Sequence, residues 1–179
     1  MRYFLYLILL LSLTFCGSPE PRRPVKVKTG NILKESVVRN KALLAHEEEL
    51  IQEIIRKDSA NTYRASGGGT WFHYINRNEK DDYYPNTDDL VTFRYNIMSL
   101  ENDTIYTEEE LGTITYKVDK QELFQGLRNS IKLLKEHESA TFLIPSSMAY
   151  GYHGDKDKIG VNIPIKTTIT LLKIDKNLN

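Results

Sequence analysis

Apolar and polar positions change their spacing several times along the chain, and each change marks an element. From about Lys34 to Ser59 the period is helical: Val37, Leu44, Ile51 and Ile55 fall seven, seven and four residues apart, and Leu43, Leu50 and Ile54 widen the stripe. The spacing predicts one amphipathic helix with Glu47, Glu48 and Glu49 on its polar face. At "SGGGTWFHYI" (66–75) the pattern turns to alternation after three glycines, which predicts a loop feeding a strand. "LVTFRYNIMSL" (90–100) alternates again, with Val91, Phe93, Tyr95 and Ile97 on one face; "ENDTIYT" is a turn into another strand, and "GTITYKVD" (112–119) puts Ile114, Tyr116 and Val118 on one face. Helical spacing returns over 120–138 through Leu123, Leu127, Ile131 and Leu134. "SATFLIP" reads as a strand, the stretch "SSMAYGYHGDKDKIGVNIP" as a loop of about nineteen residues, and "IKTTITLLKI" as the last strand. Strands, a short helix, a strand, a long loop and a last strand predict an α+β fold: a curled antiparallel sheet, or half-barrel, wrapped over one short helix, with an N-terminal helical extension.

The N-terminus is different material. "MRYFLYLILLLSLTFC" has Arg2 and then an apolar run from Tyr3 to Phe15. That is shorter than the ~20 apolar residues a bilayer span needs, and it fits the charged and apolar regions of an export signal. The single cysteine of the chain, Cys16, follows directly. The arrangement resembles a bacterial lipoprotein signal, which implies lipidation at Cys16 and a membrane-anchored protein of the cell envelope facing the periplasm. Residues 17–33, rich in proline, lysine and arginine, read as a flexible tether. The partition is therefore a signal over 1–16, a tether over 17–33, a helix over 34–59 and a domain over 66–179.

Composition narrows the chemistry. With 24 Lys and Arg against 24 Asp and Glu, the formal net charge is zero, so nothing marks a nucleic-acid binder. The four histidines, 46, 73, 137 and 153, have no zinc spacing, and "GDKDK" (154–158) lacks the alternating ligands of a calcium loop, so it reads as a solvated loop. No metal or cofactor is expected. The helix over 34–59 packs on the domain or pairs with a second copy; its pattern does not choose between them.

Four stretches carry a likeness. "VTFRYNIMSLENDTIY", "FQGLRNSIKLLKEHESATFLIP", "AYG" and "NIP" (162–164) stand in an order and spacing similar to FKBP-type peptidyl-prolyl isomerase domains, from about Leu90 to Ile174. With the N-terminal signal, the helix and "GTWFHYI", the arrangement resembles the gliding-motility-associated isomerase lipoproteins. The resemblance implies isomerisation of X–Pro bonds in polypeptide clients, with no cofactor. It implies a cup for the proline ring built from Tyr95, Tyr106, Ile114 and Tyr116, floored by Leu127, with Leu123 and Phe124 at the start of the helix and Ile163 and Leu171 closing it. Tyr150 offers its hydroxyl to a client carbonyl. On pattern alone, Tyr95, Tyr116 and Leu127 suit the core of any β-rich protein equally well. The resemblance also puts Thr107 at the substrate, and four departures stand out: Leu127 occupies a position usually held by tryptophan, Thr107 one usually held by aspartate, Leu171 or a neighbour one usually held by phenylalanine, and His137 a turn position usually held by glycine.

Overall fold

In a computed structural model of the chain, residues 29–177 are described, with side chains from Lys34 onward. The signal over 1–16, Cys16 and most of the 17–33 tether lie outside the described residues. The chain divides into two units, Met1–Ser36 and Val37–Asn179; the elements discussed below, beyond the first turns of α1, belong to the second.

α1 (Thr29–Lys57) takes in the last residues of the expected tether and ends two residues short of the expected Ser59. β1 (Arg64–Ala65), β2 (Trp71–Asn76), β3 (Leu90–Tyr95), β4 (Ile97–Met98), β5 (Thr104–Tyr106), α2 (Glu108–Leu111), β6 (Ile114–Lys117), α3 (Gln125–Ile131), β7 (Ser139–Ile144) and β8 (Ile165–Asp175) follow. The sheet runs β1-β2-β7-β8-β3-β6, every pairing antiparallel, with β4 bridging β5 and β8. Among the described residues, no helix is long and apolar enough to cross a membrane.

The sheet curls because its longest element bends. β8 is eleven residues and pairs with β7, β3 and β4. Its register against β3 slips at Thr92/Phe93, and Asn96 interrupts the strand expected over 90–100. The Asn96 side chain accepts from the Thr168 amide at 2.8 Å, and its carbonyl accepts from the Thr167 hydroxyl at 2.6 Å. Such irregularities increase local twist. The concave face closes on α3, whose Leu127 and Ile131 are sealed together with Phe93, Phe142, Ile165, Ile169 and Leu171. Phe72 stacks on Phe142 at 5.3 Å between centroids.

Helical spacing over 120–138 overstates α3, which has seven residues. Phe124 is extended, and after Ile131 the chain tightens into turns, with Leu133 donating to Ser130 and Leu134 to Ile131. The buried Glu138 carboxylate then takes the Lys135 and Asn78 amides, both at 2.9 Å. His137 adopts a left-handed φ of 67°, a conformation this residue tolerates better than most.

α1 also departs from its pattern. Three successive glutamates lie ~100° apart around a helix of 3.6 residues per turn, so they cannot all share one face. Ile51 faces inward, sealed against Leu100 and Leu143, and Glu47, one turn earlier, goes in with it at 2% exposure. Val37, Val38, Leu44 and Leu50 remain exposed.

Candidate functional site

The two limbs of the long loop and the rim of the sheet bring the aromatic residues together. Pro145 ends β7, and a tight turn over Ser146–Met148 leads to Tyr150. This turn is packed against the start of α3: a Cβ on Gly126 would stand 2.6 Å from Ile144 Cγ2 and 2.9 Å from the Met148 carbonyl. Glycine there allows the helix and the loop to meet. The far limb returns through Asn162, whose amide donates to the Gly151 carbonyl at 2.8 Å, so Tyr152, Val161 and Ile163 sit at neighbouring exposed positions.

Tyr150 is half-buried, with its ring 4.9 Å from that of Phe124. Burial pushes its phenol up, and the neighbouring Tyr95, Asp155 and Tyr106 add to the shift. Tyr95, at 5% exposure on β3, is also raised by burial, with the Tyr150 hydroxyl acting in the opposite direction. The Tyr150 hydroxyl, like any phenol, is a protonated donor through the neutral pH range, and its ring packs with Tyr95 and Tyr106 on the same apolar cluster.

Tyr106 closes the rim. Its hydroxyl donates to Asp155 Oδ2 at 2.5 Å and lies 3.2 Å from Asp157 Oδ2. The Asp155 bond pushes its titration up to about 12. Lys158 Nζ stands 4.6 Å over the same ring and reaches Glu110 Oε1 at 2.6 Å. Burial pushes the Asp155 carboxyl up, but hydrogen bonds from Tyr106 and from the Asp157 and Ile159 amides outweigh it and hold the group below the usual carboxylate range.

"GDKDK" is thus more than the solvated loop that its composition suggests. The signal for it was faint: an aspartate four residues before a buried isoleucine, whose amide it caps. Thr107 has a different occupation from the expected one at the substrate. Its hydroxyl accepts from the Glu110 amide and its own amide donates to the Glu110 carboxylate, a reciprocal cap that starts α2. The carboxylate beside the rim aromatic comes instead from Asp155.

The remaining candidates divide by exposure. Ile114, Leu123 and Phe124 are half-buried against the same apolar cluster as Tyr106 and Tyr150, Phe124 in ring contact with Tyr150, and Ile163 is exposed. Leu127, Tyr116 and Leu171 are sealed, at 0%, 2% and 0%. They lie behind the site as core, and the Tyr116 hydroxyl accepts from the Asp119 amide at 3.1 Å. The described residues place together no group of three or more histidine, cysteine or acidic side chains suited to a metal.

Comparison with known proteins bears on the family and the fold. Residues 82–172 match the family model for FKBP-type peptidyl-prolyl cis-trans isomerase. Neisseria meningitidis serogroup B has a curated relative described as a probable FKBP-type peptidyl-prolyl cis-trans isomerase, FkpA, 31% identical over 129 residues; the match covers 71% of this chain and 44% of the relative. The chain thus spans less than half the length of that relative. In fold it resembles a solved peptidyl-prolyl isomerase from Pseudomonas syringae pv. tomato (TM-score 0.60, 16% identity, 76% of this chain and 96% of that one). It also resembles the N-terminal domain of FKBP42 from Arabidopsis thaliana (TM-score 0.58, 14% identity, 66% and 96%). With half of its length matched, the chain belongs to the FKBP-type peptidyl-prolyl cis-trans isomerase family.

Proposed function

We propose that this protein catalyses cis–trans isomerisation of X–Pro bonds in exported polypeptides at the cell envelope, held there by lipid at Cys16. The observation that carries the reading is the half-buried Tyr150, its ring 4.9 Å from Phe124 and packed with Tyr95 and Tyr106 on one buried apolar cluster. Rotation about an amide is opposed by ~18–20 kcal/mol of lost conjugation, and uncatalysed X–Pro exchange takes tens to hundreds of seconds. No bond breaks. The twisted amide has a less polarised carbonyl than the planar one, so a dry site favours it relative to water. Only binding that improves at the twist raises the rate, tenfold for each ~1.4 kcal/mol. In this reading the rings of Tyr95, Tyr106 and Phe124 exclude water from the pyrrolidine, and the Tyr150 hydroxyl turns from Tyr95 to a client carbonyl, fixing the peptide while its proline rotates.

The test is proline-limited refolding of a model client by protein lacking residues 1–16. Acceleration that disappears when Tyr150→Phe and Tyr106→Ala are combined supports the enzyme. Peptide binding without acceleration points to a chaperone that captures proline segments.

Three finer proposals accompany this reading. Lipid anchoring rests on the 1–16 pattern, and mass spectrometry of the N-terminal peptide tests it. A role in gliding motility rests on the resemblance, and a deletion strain that glides normally would refute it. Pairing of two copies through α1 is supported by exposed Val37, Val38 and Leu44; sedimentation at increasing concentration tests it.

A further inference from the structure

A carboxylate leaves water only where hydrogen bonds replace its hydration. Glu47 does so on the inward face of α1, and both of its oxygens go to one residue, 99 positions later. The Ser146 amide donates to Oε2 at 2.8 Å, and the Ser146 hydroxyl donates to Oε1 at 2.6 Å. One helical turn on, Ile51 packs against Leu143. The helix therefore holds the end of β7 at two points, an apolar one before Pro145 and a polar one after it.

Ser146 opens the turn that delivers Tyr150. Between them the backbone is closed by bonds from the Met148 amide to the Pro145 carbonyl at 2.9 Å and from the Ala149 amide to the Pro145 and Ser146 carbonyls, both at 3.1 Å. Gly126 blocks the turn from the other side. A displacement at Ser146 thus has little slack to absorb it before the tyrosine. An apolar residue at 47 would fill the same space without desolvating a charge, but it would leave the Ser146 amide and hydroxyl unpaired.

We infer that Glu47 is a positioning residue for the isomerase site: it orients the Tyr150 phenol through Ser146, from a helix outside the 82–172 family match. The inference rests on the isomerase reading and adds to that site a control point from another element.

The experiment uses the full chain in mild detergent, with kcat and KM measured on a proline peptide for Glu47→Leu and Glu47→Gln, each with and without Tyr150→Phe. Glu47→Leu lowers kcat about tenfold, because misplacement of a reacting group costs rate well before the fold is lost, and leaves KM within about twofold. Glu47→Gln keeps an acceptor for the Ser146 amide and recovers most of the rate. In the Tyr150→Phe background the Glu47→Leu loss shrinks to about twofold or less, since no hydroxyl remains to be aimed. A merely structural Glu47 gives the same loss in both backgrounds, which overturns the inference. Should Glu47→Leu fail to fold, Ser146→Ala removes one of the two bonds and must show the same non-additivity with Tyr150→Phe. An inactive wild type overturns the isomerase reading, and the inference with it; an active wild type indifferent to Glu47→Leu overturns the inference alone.

Discussion

Replacing Gly126 by alanine sets two effects of known size against each other. Inside a helix, alanine is better than glycine by ~1 kcal/mol. Here the new methyl group would lie 2.6 Å from Ile144 Cγ2 and 2.9 Å from the Met148 carbonyl oxygen, whereas comfortable carbon contacts are ~3.5–4.0 Å. About 1 Å must be found. Ile144 is fully enclosed, and the Met148 carbonyl cannot retreat without moving the turn that carries Tyr150. Overpacking costs ~1–3 kcal/mol; two contacts below 3 Å, one of them to an enclosed side chain, call for the upper part of that range, ~2–3 kcal/mol, so the clash outweighs the helical gain and the net loss is about 1–2 kcal/mol. For a protein of this size that lowers the melting temperature by about 3–6 °C. Because the strain is directed into the Tyr150 turn, proline-limited refolding activity at 25 °C falls while the protein remains folded. Calorimetry and the refolding assay on one preparation check both halves. An unchanged or raised melting temperature with full activity would show that the loop yields freely, and the argument for a rigid junction between α3 and the loop would fail.

Asp155→Asn keeps acceptors for the Asp157 and Ile159 amides but removes the charge beside Tyr106, so the Tyr106 phenol falls from about 12 toward the ordinary value near ~10; 13C NMR titration of the ring reads this, and an unmoved value refutes the pairing. His73 is held below its usual value, first by burial, so it contributes stability above the unfolded value of ~6.5 that is lost as pH falls through the folded one. The Asp155 carboxyl, also lowered, adds a contribution present above ~4 and lost below it. Tyr106, raised, adds one present below ~10 and lost as pH climbs toward its folded value. Urea unfolding at a series of pH values therefore shows a decline below pH ~6.5 that His73→Phe abolishes, and persistence of the decline in that variant would remove His73 as its source. Phe142→Ala opens a cavity against Phe72 in a fully sealed position and costs ~3–5 kcal/mol; a loss below ~1 kcal/mol in urea would mean the sheet collapses around the gap.

Much of the sheet could be read from alternation. Val91, Phe93, Tyr95 and Ile97 face the core as their spacing requires, and Tyr116 and Val118 do the same, because side chains in a strand alternate between two faces whatever lies beyond them. Element ends were less legible. α3 gives way after Ile131 to tight turns, followed by the Lys135 amide bonded to the Glu138 carboxylate, and the break at Asn96 depends on Thr167 and Thr168. These partners are distant in sequence or indifferent to periodicity, so no local pattern announces them. α2 had a local signal, the Thr107–Glu110 spacing of a reciprocal cap, but its four residues carry no period to confirm it.

By itself, then, the order of apolar and polar residues determined a curled antiparallel sheet over a short helix, an amphipathic helix before it, and an aromatic loop between the last two strands. Those follow from short-range geometry. Folding alone decided that the carboxylate beside Tyr106 is Asp155 rather than a neighbour on its own strand, that Thr107 caps a helix, and that Glu47 enters the core to hold Ser146. Each is a pairing between residues whose partners become neighbours only when the chain closes, and the strength of a hydrogen bond or a buried charge depends on that partner and its distance from water.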